Sequence, residues 1–153
     1  MSKKSPKIAE LIRESEGHPK HSPYYLGYFK CFNEQLYYEA HDVLEELWLQ
    51  DRLGPNGDFY KGLIQLAGAF VHLQKNRLGP ASKLFNLAIN NLQKYGSIHD
   101  DLDLDHLIQM AREYDLSLHT SGFTVNPFEN KQAPRLGLTG SMVWEAGHSV
   151  RPT

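Results

Sequence analysis

Apolar residues recur every three or four positions along most of this chain, the spacing that turns one face of an α-helix toward a core. Ser5-Pro6 opens the first such run, a capping hydroxyl followed by proline at the first helical position, with Ile8, Leu11 and Ile12 as its apolar face. Gly17-His18-Pro19 closes it, and Ser22-Pro23 repeats the start signal ahead of Tyr24, Tyr25, Tyr28, Phe29 and Phe32. A break near Asn33 precedes a third helix at roughly residues 35–50. Its stripe is Leu36, Ala40, Val43, Leu44 and Leu47, and Glu39, Asp42 and Glu46 mark the opposite, wet face.

Gly54-Pro55-Asn56-Gly57-Asp58 reads as a loop. The helix expected from Phe59 to Arg77 is apolar on most sides: Phe59, Leu63, Leu66, Phe70 and Leu73 form its stripe, and Tyr60, Ile64 and Val71 its flank. Such a helix belongs at the centre of a bundle or in a subunit interface, so a homodimer through residues 59–77 is an expectation. Its polar strip is Lys61, Gln65, His72 and Asn76. Leu78-Gly79-Pro80 stops and restarts the chain, and Ala81, Leu84, Phe85, Ala88, Leu92 and Tyr95 line the next helix, which Gly96 ends. A last helix begins near Asp103 with Leu104, Leu107, Ile108, Ala111 and Tyr114 on one face.

Nothing in the first 118 residues alternates as a strand would for long enough to matter. The fold class is therefore all-α, a compact helical bundle of about five to six helices over residues 1–118. Residues 119–153, richer in proline and glycine, form an extended tail expected to pack on the bundle through Phe123, Val125, Phe128, Leu136 and Trp144.

Composition narrows the setting. A chain of 153 residues, 41% hydrophobic and 22% charged, has the make-up of one globular domain. A formal net charge of -2 argues against nucleic acid as a general partner. The single Cys31 forms no internal disulfide and is expected as a buried thiol in a reducing compartment. The longest apolar segment, Leu63 to Leu73, is interrupted by Gln65 and His72 and falls short of the ~20 residues a bilayer demands. A cytoplasmic location and no membrane partner follow as expectations.

The chemistry gathers at His41-Asp42-Val43-Leu44-Glu45-Glu46-Leu47-Trp48. At about 3.6 residues per turn, His41 and Glu45 lie one turn apart and Trp48 a further turn on, at the border of the apolar face. An imidazole and a carboxylate so placed can share a divalent metal ion, and His72 is the expected third ligand. In that reading His41, Asp42 and Glu45 are catalytic, the metal-bound water attacks an unidentified small-molecule ester, amide or phosphoester, and Gln65 and Trp48 contact substrate. In the other reading His41, Glu45 and Trp48 are a structural clasp in a non-catalytic interaction or scaffold module. The zinc-protease pattern H-E-x-x-H, the P-loop, the Rossmann glycines and G-x-S-x-G are all absent. His99, Asp100, Asp101, Asp103, Asp105 and His106 resemble a cation loop in composition, but helix capping explains acids at a helix start.

Phe32-Asn33, then Tyr37-Tyr38-Glu39-Ala40-His41-Asp42-x-x-Glu45-x-x-Trp48 and Lys61-Gly62-Leu63-Ile64-Gln65-Leu66-Ala67, closely resemble domain of unknown function family 309 over roughly residues 22–95. Asn76-Arg77-Leu78-Gly79-Pro80-Ala81 resembles that family's turn between core helices, with Pro80 a departure, and Asp42 stands where Glu is more common. The resemblance implies a compact all-α fold and the label of a predicted metal-dependent hydrolase, which itself rests on the His-acid-x-x-Glu pattern.

Overall fold

In the computed structural model, residues 6–17, 20–129 and 132–139 are described. Ser22 accepts a hydrogen bond from the Tyr24 amide at 3.0 Å with Pro23 next in line, so the second helix begins where its cap dictates. The described helices are α1 (Pro6–Ser15), α2 (Pro23–Asn33), α3 (Tyr37–Asp51), α4 (Gly57–Gln74), α5 (Leu78–Leu92) and α6 (Leu104–Thr120). Short 3-10 turns lie at Gln93–Tyr95 and Pro127–Glu129. Asp103 caps α6 by accepting from the His106 amide at 3.0 Å.

Gly62 lets α5 approach α4 closely: a Cβ there would stand 2.7 Å from Leu92 Cγ and 3.2 Å from Asn91 Cβ. The apolar stripe of α4 is enclosed within the chain, with Phe59, Leu63, Leu66 and Phe70 fully buried between α3, α5 and the ends of the bundle. Phe70 is the meeting point of the core. Its ring stacks on Tyr37 at 5.0 Å and meets Phe32 at 5.5 Å, Phe85 at 5.3 Å and Tyr114 at 5.0 Å, joining α2, α3, α5 and α6. Cys31 is buried in the same core.

Several boundaries differ from the expected ones. Helix α4 ends at Gln74, not Arg77, because Asn76 takes a left-handed φ of 58°. The Asn76 and Arg77 amides then return to the Leu73 and His72 carbonyls at 3.0 and 2.8 Å, a Schellman stop in which asparagine replaces the usual glycine. Gln35, at φ 63°, ends α2 in the same way.

Where no strand was expected, β1 (Ile98–His99) and β2 (Leu102–Asp103) form a small antiparallel hairpin. Asp100 and Asp101 supply its turn at φ 48° and 62°, the type I′ pattern that Asn-Gly usually signals. Two-residue strands are too short to show an alternating pattern, so periodicity could not reveal them.

The tail follows the bundle through some of the expected anchors. Leu136 is buried and Phe128 packs against the core, but Phe123 and Val125 are exposed, at 40% and 49%. Asn126 takes their place: its side chain is buried and donates to the Leu73 carbonyl at 2.6 Å. Leu138 is buried and bridges to Leu102. The helix start at Ser5, the His18-Pro19 break and the Trp144 anchor lie outside the described residues, as do the side chains of Ile8 and Leu11. Among the described residues, no helix is long and apolar enough to cross a membrane.

Candidate functional site

Helix α3 carries the His41–Trp48 segment with Tyr37, Ala40, Val43 and Leu44 turned inward. His41 and Glu45 are half-buried at the border of that face, as their place on the helix requires. The His41 ring lies parallel to Tyr38, 6° between planes and 6.3 Å between centroids. Trp48, also half-buried, receives the Arg52 guanidinium over its ring at 5.8 Å. Both contacts are one-turn pairs along a single flank, so they stiffen α3 itself.

Asp42 is not on a wet face. It is only 8% exposed, and Glu39 and Glu46 beside it are half-buried. Gly27 of α2 faces α3, where an added Cβ would stand in ordinary contact, 3.6 Å from Val43 Cγ2. A carboxylate at that depth needs partners, and Asp42 and Glu46 both have them.

The other proposed residues point elsewhere. Gln65 Oε1 accepts a hydrogen bond from Asn91 Nδ2 at 2.8 Å, and Gly68, one turn on, meets Leu84, so this strip of α4 faces α5. His72 continues the strip. Phe70, roughly 200° around the helix from His72, is the residue that stacks on α3. Among the described residues, no three His, Cys, Asp or Glu side chains gather in a group that could hold a metal ion. His41, Glu45 and His72 are accordingly not gathered into one such group among the described residues, and Gln65 ties α4 to α5.

His72 has a separate peculiarity. Its Nδ1 is buried without a hydrogen-bond partner among the described residues. Burial holds its pKa below the ordinary imidazole value, and Arg77 and Lys75 add to the effect.

A cleft that the periodicity gave no sign of lies at the hairpin end of the bundle. Its volume is about 480 Å³, and its lining includes Lys20, His21, Tyr25, Tyr60, Asp100 and Asp101. The left-handed turn is held on every side. Tyr25 donates to the Asp100 carbonyl at 2.9 Å, Asn56 Nδ2 to the Asp100 carboxylate at 2.8 Å, and the Thr139 amide to the Asp101 carbonyl at 2.6 Å. Lys20 and His21 reach Asp101 Oδ2 at 2.8 and 2.9 Å and hold its carboxyl below the usual range. His99 sits against Phe59 and Tyr95 and bonds Asn56, so this histidine is part of the packing. The acidic composition of residues 100–105 was visible in the sequence. The cap at Asp103 was visible too; the Asp100-Asp101 turn was not, because Tyr25 and Asn56, which hold it, come from distant segments.

An α-helical bundle centred on α4, with a His-acid-x-x-Glu-x-x-Trp segment on its third helix, defines the class. Residues 25–84 match the model of the family described as "Domain of unknown function (DUF309)". The chain is 34% identical over 83 residues to "Uncharacterized protein YpuF" of Bacillus subtilis (strain 168). The aligned part covers 54% of this chain and 48% of that relative, so the chain spans about half the relative's length. No solved structure matches the chain.

Proposed function

We propose that this protein is a non-catalytic helical scaffold or interaction module in which His41, Glu45 and Trp48 brace the third helix. The observation that carries this reading is the separation of the candidate ligands: His72 and Gln65 follow the α5 side of α4, while His41 pairs with Tyr38 on α3. Each neighbour of the motif also has a packing role, Asp42 in its buried flank and Trp48 under Arg52. The homodimer expected through residues 59–77 would have to use Tyr60, Ile64 and Val71, because the main stripe of α4 is already covered within one chain. Metal analysis of tag-free protein purified without chelator tests the proposal. Substoichiometric metal in wild type and in a folded His41→Ala variant is the expected result. One equivalent of metal, lost on that substitution, would restore the hydrolase reading.

A further inference from the structure

Tyr37, Ala40, Val43 and Leu44 pack α3 onto its neighbours α2 and α4, and the flank beside them carries His41, Glu45, Trp48, Leu49 and Arg52. His41, Glu45, Trp48 and Arg52 follow one another at steps of 4, 3 and 4 residues, the spacing of a seam between two helices. Leu49 is 45% exposed on that flank, and Leu53, just past the helix end, is 97% exposed. Two charges also stand there unmatched. Among the described residues no ion pair reaches Glu45 or Arg52, and the Arg52 guanidinium has only the Trp48 ring beneath it. Seven residues, about 10.5 Å of helix, keep the two from pairing with each other. We propose that a second copy of this chain docks antiparallel on this flank, with Glu45 of each copy paired to Arg52 of the other across a two-fold axis beside Trp48 and Leu49.

The occupant follows from the symmetry of the charges. Glu45 and Arg52 hold the same place in successive heptads, so a two-fold rotation midway between them brings each over the other's counterpart. One carboxylate and one guanidinium per chain then make two ion pairs, and no second kind of partner is required. In-register parallel docking would set Glu45 against Glu45 and Arg52 against Arg52, so the same charges reject that arrangement. Trp48 and Leu49 lie at the axis, where their apolar surface is removed from water and shelters the pairs. The flank is 15 residues or about 22 Å long. A contact one helix wide belongs at the low end of specific interfaces, about 1,200 Å² or less, so a dissociation constant on the order of tens of micromolar is expected. The proposal rests on the reading of α3 as an interaction segment, because a metal on His41 and Glu45 would occupy the carboxylate that Arg52 of the second copy must reach.

Sedimentation equilibrium of the tag-free full chain, with chelator present and at concentrations from micromolar to millimolar, tests this. Wild type is expected to pass from monomer to dimer. Glu45→Arg and Arg52→Glu each turn both pairs into like charges, so each should weaken dimerisation at least tenfold. Mixed in equal amounts the two variants should dimerise again, because one then offers only guanidinium groups and the other only carboxylates. Wild type that stays monomeric at millimolar concentration overturns the proposal. So does a dimer that neither substitution weakens, or a mixture that stays monomeric although both variants keep the wild-type melting curve. Those three results leave the interaction reading of α3 standing. A dimer that forms only when zinc replaces the chelator, and is lost in His41→Ala, would overturn both.

Discussion

Asn33, the last residue of α2, and Leu136 exchange two hydrogen bonds across 103 positions of sequence: Asn33 Nδ2 donates to the Leu136 carbonyl and Asn33 Oδ1 accepts from the Leu136 amide, both at 2.7 Å. One amide side chain thus does for the tail what a neighbouring strand would do, satisfying both backbone groups of a residue that is itself buried. Asn33→Ala is expected to raise amide exchange at Leu136 sharply and to cost about 1–2 kcal/mol of global stability. Undiminished protection at Leu136 would show that Leu138 and its bridge to Leu102 suffice to hold the segment.

Phe70 should be the most sensitive core position. Its ring is fully buried and touches rings from four other helices, so truncation leaves a cavity that no single neighbour can refill. Phe70→Ala is expected to lower unfolding free energy by about 3–5 kcal/mol in a denaturant titration.

Gly62 offers the opposite test, an addition in place of a deletion. An added methyl would press on Leu92, which is itself fully buried and has no solvent side to move toward. Gly62→Ala is expected to destabilise by about 1–3 kcal/mol even though alanine favours the helix. A rise in melting temperature would show that α5 slides outward freely.

His72 should make stability depend on pH. Its folded pKa lies below the ordinary 6.5, chiefly through burial, so the unfolded chain takes up the proton first. Its contribution is fully present above about pH 6.5 and is lost as pH falls from the unfolded pKa toward the lower folded one. Denaturant midpoints measured across that range should decline toward acid in wild type and decline less in His72→Gln.

The helices were legible because their determinants are local. Ser22-Pro23 and Asp103 mark starts that the structure keeps, and the aromatic periodicity found the residues that surround Phe70. What local pattern could not show was which helix each polar residue faces. Gln65 and His72 share a strip on α4, but only the packing of α5 against Gly62 and Gly68 decides that the strip looks away from His41. The Asp100-Asp101 turn was hidden for a related reason. Its left-handed backbone is sustained by Tyr25, Asn56 and Thr139, none of them close in sequence.

The role of the α3 segment is tested most directly by equilibrium unfolding of wild type and His41→Ala, each with chelator and each with saturating zinc. A bracing role predicts that His41→Ala lowers stability by about 1 kcal/mol, and by the same amount in both conditions. A gain from metal that wild type shows and His41→Ala lacks would contradict the bracing role and place a metal site on the third helix.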